Sequence, residues 1–309
     1  MTANHLACVP RSFLYVPGDR PEMLAKAFER GADALIVDLE DAVAAANKEQ
    51  ALARVGAWLA EIVAVPPQVP GAAPAHTPEI WIRVNPGERG CEESARLAGG
   101  AVTGFCLAKC SGVEEIADQH DVLSTAEERQ GLAPRTFAVA PLLETASAVL
   151  DAQQIARAPR VRHLQLGEAD LCAELGIAAP QATDPAGVAA GQALTALRTH
   201  ILLASAAAGL VPPVGPVCTD LADLDALVRT TQALRGLGYR SRACVHPRQL
   251  PIVHDVFTPG PEEVAAAQAL LDGFTEATRD GSGVMTGPDG RMVDEAVVRA
   301  ARRVLATRR

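Results

Sequence analysis

Residues Ala34–Val43 spell ALIVDLEDAV, and this stretch decides the fold that the chain is expected to adopt. Its first four residues are apolar, which is typical of a strand buried on both faces of a parallel sheet. Three carboxylates, Asp38, Glu40 and Asp41, then follow closely. Like charges this close repel one another, and burying them is costly unless a positive charge compensates. The stretch therefore predicts a buried strand that ends in a cluster requiring a cationic partner.

Short strand-like runs alternate with helical patterns along the rest of the chain. Strands are predicted at Ser12–Val16, Ala34–Asp38, Ile80–Asn85, Thr103–Ala108, Thr136–Leu143, Arg162–Gly167, Val214–Thr219 and Ala243–His246. Eight alternations over 309 residues favour an α/β fold of the (β/α)8 TIM barrel type with a C-terminal helical extension. An open doubly wound sheet is the alternative. We expect the barrel and its catalytic site in residues 1–260 and a helical segment in residues 261–309.

Composition excludes several classes of protein. The net charge is −9 and no block of Lys and Arg is present, which argues against a nucleic-acid partner. The seven cysteines form no CxxC pair, so we expect reduced thiols rather than disulfides or a zinc site. No apolar run approaches the ~20 residues of a membrane span, and the N-terminus lacks an apolar signal core. We therefore expect a cytoplasmic protein with no membrane partner.

Polar residues gather where the predicted strands end, which is where (β/α)8 barrels place their chemistry. Glu144 and Asp170 follow successive strands, so a barrel would bring them side by side. Oxygen ligands on a half-open site suit Mg²⁺, which keeps several waters and takes one or two carboxylates. Arg83 ends the third predicted strand, and its planar guanidinium suits a substrate carboxylate.

Each of these residues also has a purely structural interpretation. Arg83 could form an ion pair with Asp38, whose side chain we expect to support the fold because alternation would turn it toward the barrel wall. Lys109 could be a salt-bridge partner or a substrate contact. His246 precedes a proline and could simply fix the backbone, and Asp294 could cap the last helix.

Eight pieces of the sequence, in order, resemble the HpcH/HpaI aldolase/citrate lyase superfamily, in particular its citrate lyase β-subunit-like and malyl-CoA lyase group. The matching pieces are RSFLYVPGDRPEMLAKA (11–27), GADALIVDLEDAV (31–43), IRVN (82–85), LAKC (107–110), LLETASAV (142–149), LGEADL (166–171), GYRSRACVHPRQ (238–249) and MVDEAVVRAA (292–301). The resemblance implies a (β/α)8 barrel that binds Mg²⁺ or Mn²⁺. It also implies a homo-oligomer, a trimer or a multiple of it, in which the C-terminal segment contributes to the interface and to a neighbouring active site.

The resemblance further implies a reaction, the cleavage or formation of a carbon–carbon bond between an acyl-CoA and a 2-oxoacid. The site residues that it implies are Glu144 and Asp170 as metal ligands, Arg83 as the contact for the oxoacid carboxylate, and Glu40 and Asp41 in holding metal-bound water or in proton transfer. Asp294 matches an aspartate that some relatives deliver into a neighbouring subunit's site, and it is a further candidate for proton transfer. Arg20, in the loop after the first strand, and Lys109, at the end of the fourth, are further candidate substrate contacts by their position. Three alternatives stay open: a thioesterase on the same metal site, an aldolase acting on free 2-oxoacids, and a non-catalytic barrel subunit.

Two motifs depart from the family pattern. Ser241 and Arg242 stand where relatives often have Gly-Lys, and Ala108 stands where many have the proline of LPK. Neither departure removes a predicted metal ligand. They affect the expected recognition of the acyl carrier more than the metal site.

Overall fold

The computed structural model describes residues 9–64, 77–177, 185–279 and 281–307 and has an α/β fold. Its strands are β1 Ser12–Pro17, β2 Ala34–Asp38, β3 Glu79–Val84, β4 Gly104–Leu107, β5 Ala138–Leu143, β6 Gln165–Leu166, β7 Arg242–Cys244, β8 Met285–Thr286 and β9 Met292–Val293. Its helices are α1 Pro21–Leu24, α2 Lys48–Ala64, α3 Glu88–Leu97, α4 Val113–Gln130, α5 Ala146–Leu150, α6 Ala152–Ile155, α7 Glu168–Leu175, α8 Pro185–Ala207, α9 Leu224–Leu237, α10 Leu250–Phe257, α11 Pro261–Arg279 and α12 Glu295–Ala306.

A parallel sheet of seven strands forms the centre of the fold, in the order β6-β5-β4-β3-β2-β1-β7. The sheet curls, because Val214 pairs with Gln165 in β6 while the next residue, Gly215, pairs with Arg242 in β7. Two residues thus lie between the first and last strands of the order. In the part of the chain that the structure describes, the expected eight-stranded barrel is therefore present as seven strands, with this two-residue bridge in place of the eighth.

The predicted strand Val214–Thr219 is wrong in its extent, and proline explains why. Prolines precede and follow the bridge, and proline has no N–H to donate to a strand ladder. The buried side chain of Arg242 compensates, since its Nε donates to the Pro216 carbonyl at 3.0 Å. Arg242 also donates to the hydroxyls of Thr230 and Thr231 in α9, at 2.8 and 2.7 Å.

The inner face of the curled sheet carries the buried core. Its members alternate along the strands and include Phe13, Ala34, Ile36, Trp81, Cys106, Ala140, Val214 and Ala243, with Tyr15 and Ala138 packed against them. Because side chains two residues apart share a face, Asp38 follows Ile36 inward and Arg83 follows Trp81. The expectation that Asp38 turns toward the barrel wall is therefore wrong.

Helices begin directly after two strands and so fix the residues between them. Thr145 caps α5 by accepting a hydrogen bond from the Ala148 N–H at 3.2 Å, which holds the chain immediately after Glu144. Gly167 joins β6 to α7, and Asp170 lies in the first turn of that helix. The carboxyl ends of β5 and β6 thus deliver Glu144 and Asp170, in line with strand-end placement.

The chain divides into two compact units, one spanning Pro10–Val253 and the other containing Val9 and the residues from His254 onward. The second unit contains α11, α12 and the antiparallel pair β8–β9. Phe274, Val293 and Val298 form its buried core. The predicted boundary at residue 260 stays a prediction. Among the helices of the described residues, none has the length and apolar character needed to cross a membrane.

Candidate active site

Six charged residues meet at the carboxyl ends of β2, β3, β4 and β5. This strand-end cluster consists of Asp38, Glu40, Asp41, Arg83, Lys109 and Glu144. Its foundation is a two-pronged pair in which Arg83 Nε lies 2.8 Å from Asp38 Oδ1 and Arg83 Nη2 lies 2.6 Å from Asp38 Oδ2. Asp38 also accepts the backbone N–H groups of Glu40, at 2.9 Å, and of Ala42, at 3.2 Å. Asp38 therefore fixes both the turn after β2 and the arginine.

Glu40 is only 3% exposed and sits between the two cations of the cluster. Its Oε2 lies 3.2 Å from Arg83 Nη1, and its Oε1 lies 2.6 Å from Lys109 Nζ. Asp41 is exposed, and its Oδ1 lies 3.2 Å from the same ammonium. Burial raises the pKa of Glu40. Burial acts the same way on Asp41, but hydrogen bonds from Glu40 and Lys109 outweigh it and lower the pKa of Asp41.

Lys109 joins these residues to the end of the neighbouring strand β5. Its backbone N–H donates to Glu144 Oε2 at 3.0 Å, while its ammonium contacts Glu40 and Asp41. Its φ of 49° lies in the left-handed region, which is uncommon for a residue with a side chain. Its hydrogen bond with Glu40 raises the pKa of the Lys109 ammonium. Arg83 and Lys109 are therefore the compensating cations that the acidic sequence required.

Glu144 is buried, and its environment disfavours its charge. Burial raises the pKa of Glu144 to about 7, with a further contribution from the negative charge of Asp170 and an opposing one from Arg83. Its side chain lies against Gly167, where an added Cβ would meet Glu144 Cγ at 2.2 Å. The absence of a side chain at Gly167 thus makes the space that this carboxylate occupies.

The donor set fits a hard divalent cation. Glu144 and the exposed Asp170 repel each other electrostatically, and a cation between them would remove that repulsion. Within the described residues there is no group of three or more His, Cys, Asp and Glu placed to hold a metal. Two carboxylates are nevertheless sufficient for Mg²⁺, which keeps waters and takes the remaining ligands from substrate.

Comparison with known proteins decides the family. The model of the family described as HpcH/HpaI aldolase/citrate lyase matches residues 11–247. The chain belongs to the HpcH/HpaI aldolase/citrate lyase family. The matched region contains every residue of the strand-end cluster together with Asp170.

Relatives within the HpcH/HpaI family span nearly the whole chain. A citrate lyase subunit beta-like protein of Deinococcus radiodurans is 29% identical over 299 residues, covering 96% of each chain. A (3S)-malyl-CoA thioesterase of Cereibacter sphaeroides is 31% identical over 307 residues, covering 98% of this chain and 95% of its own. The chain is thus similar both to lyase subunits and to a hydrolase, and it is an enzyme of the citrate lyase beta-like type.

Solved structures of the same family agree. The chain is similar to CitE from Mycobacterium tuberculosis in complex with magnesium, acetoacetate and coenzyme A, with a TM-score of 0.70, 28% identity and coverage of 95% of this chain and 96% of CitE. A complex described as citrate lyase beta subunit with oxaloacetate and magnesium, also from M. tuberculosis, gives a TM-score of 0.63 at 27% identity and covers 82% of this chain and 100% of its own.

Two predicted site residues, Arg20 and Asp294, form their ion pair and hydrogen bonds with residues outside the strand-end cluster. Arg20 is exposed, and its Nε lies 3.6 Å from Asp19 beside it in sequence. Asp294 belongs to the second unit and caps α12, where its Oδ1 accepts the N–H groups of Ala296, at 2.9 Å, and Val297, at 3.2 Å. The functional roles of both residues stay predictions.

Two other conspicuous polar residues are engaged structurally. Glu168 forms a two-pronged pair with Arg198 of α8, at 2.6 and 2.7 Å. His246 caps the short 3-10 helix Pro247–Gln249, with its Nδ1 accepting the Arg248 N–H at 3.1 Å. His246 therefore has the backbone contact that the following proline suggested.

Two residues of the site were missed by the sequence interpretation. Tyr15 lies under Arg83, whose guanidinium carbon is 5.1 Å from the ring centre. The alternation of β1, in which Phe13 faces inward, carried the signal for Tyr15. Gly167 contacts Glu144, and a glycine between a strand and a carboxylate-bearing helix was the signal for a close approach.

Proposed function

We propose that the chain is a Mg²⁺-dependent carbon–carbon lyase. It would cleave or form a 3-hydroxyacyl-CoA thioester such as malyl-CoA or citramalyl-CoA, giving an acyl-CoA and a 2-oxoacid. The observation that carries the proposal is the buried Glu144, which accepts one backbone hydrogen bond, from Lys109, and whose pKa is raised by burial and by the negative charge of Asp170. The M. tuberculosis complexes with magnesium, coenzyme A and oxaloacetate support the same assignment.

Each charged residue has a role in this proposal. Glu144 and Asp170 would hold Mg²⁺, with Mn²⁺ as the alternative. When bound, the ion supplies Lewis acidity that polarises the substrate C–O group and lowers the pKa of its hydroxyl. Asp38 holds Nε and Nη2 of Arg83, and Glu40 lies 3.2 Å from Nη1, so Arg83 would bind the 2-oxoacid carboxylate through the second N–H of Nη1. Arg20, which is exposed, is a further candidate substrate contact.

The proton transfers fall to carboxylates. Asp41 is exposed and is our candidate to accept the hydroxyl proton, and its backbone N–H donates to Glu40 Oε2 at 2.8 Å. As that proton leaves, the bond between the hydroxyl-bearing carbon and the thioester α-carbon breaks, and its electron pair forms a thioester enolate. Asp294 is our candidate to protonate the enolate carbon. A positioned acid or base contributes typically ~10²–10⁴-fold to the rate.

A thioester hydrolase is the second candidate, because the C. sphaeroides malyl-CoA thioesterase is 31% identical over nearly the full chain. One assay separates the two. Purified protein is incubated with malyl-CoA, citramalyl-CoA or 3-methylmalyl-CoA, and with their non-CoA analogues, in Mg²⁺ or in EDTA. Free CoA, acyl-CoA and 2-oxoacid are then quantified separately.

Equal amounts of acyl-CoA and 2-oxoacid, formed only with Mg²⁺, would support the lyase. Free CoA without oxoacid would indicate hydrolysis alone, and turnover restricted to the non-CoA analogues would indicate an aldolase of free 2-oxoacids. A chain that binds no Mg²⁺ in calorimetry and turns over none of these compounds would be a non-catalytic subunit.

The role of Asp294 needs a variant that keeps its helix cap. Serine is also a strong N-cap residue, so Asp294→Ser retains a side-chain cap while removing the carboxylate. We expect Asp294→Ser to remain as stable as the wild type and to lose turnover. We further propose a homotrimer in which Asp294 serves a neighbouring site. Refolding mixtures of Asp294→Ser and Glu144→Gln should then regain activity, and a mixture that stays inactive counts against sharing.

A further inference from the structure

Lys109 contacts carboxylates on both sides of its strand end with two different parts of the residue. Its Nζ lies 2.6 Å from Glu40 Oε1 and 3.2 Å from Asp41 Oδ1. Its backbone N lies 3.0 Å from Glu144 Oε2. In the sheet order, β4 lies between β3 and β5, so Lys109 at the end of β4 stands between the acidic turn after β2 and the end of β5.

The backbone around Lys109 is fixed on both sides. Ala108 and Cys110 are both fully buried, and the Cys110 N–H donates to the Leu142 carbonyl at 3.2 Å. Between them Lys109 adopts a φ of 49°, a left-handed conformation that a side chain disfavours. Strained residues of this kind persist where the surroundings determine them, and they occur often at functional sites. Here the conformation sends the N–H toward Glu144 and the ammonium toward Glu40.

Carboxylates of the strand-end cluster engage two of the three N–H donors of the Lys109 ammonium. An ammonium has three N–H donors, and Glu40 and Asp41 accept from two of them. Arg83 is the other cation beside Glu40, and its Nε and Nη2 are held by Asp38. Removing the ammonium would therefore leave the buried Glu40 with one nitrogen of Arg83, at 3.2 Å, as the remaining cationic contact within the strand-end cluster.

We propose that Lys109 is a positioning residue rather than a substrate contact. Its ammonium holds Glu40 and Asp41 in place while its backbone N–H holds Glu144, so that one residue sets the distance between the proton-transfer carboxylates and the metal-binding carboxylate. The inference depends on the proposed function for the roles of these carboxylates. The contacts by which Lys109 positions these carboxylates do not depend on which reaction the chain catalyses.

Three variants of Lys109 test the role of its ammonium separately from that of its backbone N–H. Lys109→Met removes the ammonium and keeps the N–H donor. Lys109→Gly removes the ammonium and also relieves the left-handed strain, since glycine adopts positive φ readily. Lys109→Arg keeps the positive charge. We expect kcat to fall by about 10–100-fold in the methionine and glycine variants, the scale of a misplaced catalytic group. Lys109→Arg should recover part of this loss.

The other kinetic and binding constants should stay close to those of the wild type. KM and the Mg²⁺ dissociation constant should change by less than about threefold, because Glu144 keeps its hydrogen bond from the backbone. A large increase in KM with unchanged kcat would overturn the proposal and make Lys109 a substrate contact. Lys109→Gly is the control for a folding defect, because relief of the strain should make it at least as heat-stable as Lys109→Met.

A double-variant cycle tests whether Lys109 acts through Glu40. In a Glu40→Gln background, Lys109→Met should lower kcat by a smaller factor than in the wild type, because one of the two carboxylates that the ammonium positions is already gone. If the two losses in kcat multiplied in the double variant, the proposal would be overturned, since the residues would then act independently.

A structure of Lys109→Met supplies a readout that requires no turnover. Glu40 and Asp41 should be displaced while Glu144 keeps its position and its hydrogen bond from residue 109. If the wild type turns over no CoA thioester, the proposed function fails, but this displacement still supports the positioning role. An unmoved Glu40 would overturn it.

Discussion

Two clusters of buried charged residues, both in the unit Pro10–Val253, differ in how completely hydrogen bonds and opposite charges compensate their carboxylates. Away from the strand-end cluster, Glu127 of α4 pairs with Arg160 through two contacts, Nη1 to Oε1 at 2.6 Å and Nη2 to Oε2 at 2.7 Å. Glu127 also accepts the backbone N–H groups of Arg135 and Phe137, both at 3.0 Å. Burial alone would raise the pKa of Glu127, but these bonds, led by Arg160, lower it to about 2. The pKa of Glu144 is raised instead, to about 7.

The contrast separates a buried carboxylate that has a full set of partners from one that has not. Both side chains are almost fully buried, so burial does not separate them. Glu127 has a dedicated counter-charge and four hydrogen bonds. Glu144 has one backbone donor and a second carboxylate nearby. A buried acid whose charge the protein leaves uncompensated marks a place for an additional cation.

The largest expected effect comes from Glu144→Gln, which removes the charge and preserves the shape. Loss of a metal ligand removes several kcal/mol of transition-state stabilisation, so Mg²⁺-dependent turnover should fall by about three orders of magnitude. The metal-free protein should be at least as stable as the wild type, because the repulsion between residue 144 and Asp170 disappears. Steady-state kinetics, Mg²⁺ calorimetry and urea denaturation in EDTA measure these effects. Full activity with wild-type Mg²⁺ affinity would refute the assignment.

The same substitution at Glu127 should have the opposite profile. Glutamine cannot neutralise the buried Arg160, and breaking a buried ion pair costs about 3–5 kcal/mol. Activity per folded molecule should not change. Urea denaturation at pH 7 measures the loss, with Arg160→Met as the reciprocal variant and a double variant that should lose less than the sum. Loss of kcat without loss of stability in Glu127→Gln would erase the distinction between the two clusters.

Acid should close the stability gap between the wild type and Glu127→Gln. The pKa of Glu127 is about 2 in the folded chain, against about 4.3 for an unfolded glutamate. A depressed carboxyl pKa contributes stability that is fully present above the unfolded value and is lost as pH falls through the folded value. The gap should therefore be constant from about pH 5 to 8 and narrow progressively from about pH 4.3 toward pH 2. A gap that widens on acidification would contradict the depressed pKa.

Two segments of the curled sheet show what local sequence can predict about the fold. The strand Ala34–Asp38 occurs where it was predicted, because an apolar run between polar residues has few alternatives inside a parallel sheet. The segment from Val214 has apolar residues too, but only Val214 and Gly215 pair. Its prolines were visible, whereas the compensating bond from Arg242 depends on a strand more than twenty residues away.

The site could be predicted residue by residue but not contact by contact. Strand-end placement located Glu144, Arg83 and Lys109 without a structure. The inward direction of Asp38 also follows from alternation, because Asp38 shares a face with Ile36 of the inner core, whereas the prediction assigned Asp38 to the opposite face. The double contact of Lys109 was not predictable, since it needs a left-handed residue and two neighbouring strand ends.

The smallest expected effect comes from Gly167→Ala, which should move the Glu144 carboxylate without changing its charge. Gly167 has a φ of −85°, so alanine fits the backbone there. The new Cβ would lie 2.2 Å from Glu144 Cγ and 2.6 Å from its Oε1, so the carboxylate must shift. We expect Mg²⁺ affinity to fall about 10–100-fold, as for substitutions that disturb the residues supporting a metal ligand.

Gly191→Ala is the matched control for Gly167→Ala. Gly191 lies in α8, and a Cβ there would meet no atom within 4 Å. Alanine should stabilise this helix by about 0.5–1 kcal/mol and leave Mg²⁺ binding unchanged. Calorimetry on both variants separates a general effect of Gly→Ala from displacement of one carboxylate. Wild-type Mg²⁺ affinity in Gly167→Ala would mean that the ion does not depend on the position of Glu144, and the contrast with Glu127 would then lose its functional meaning.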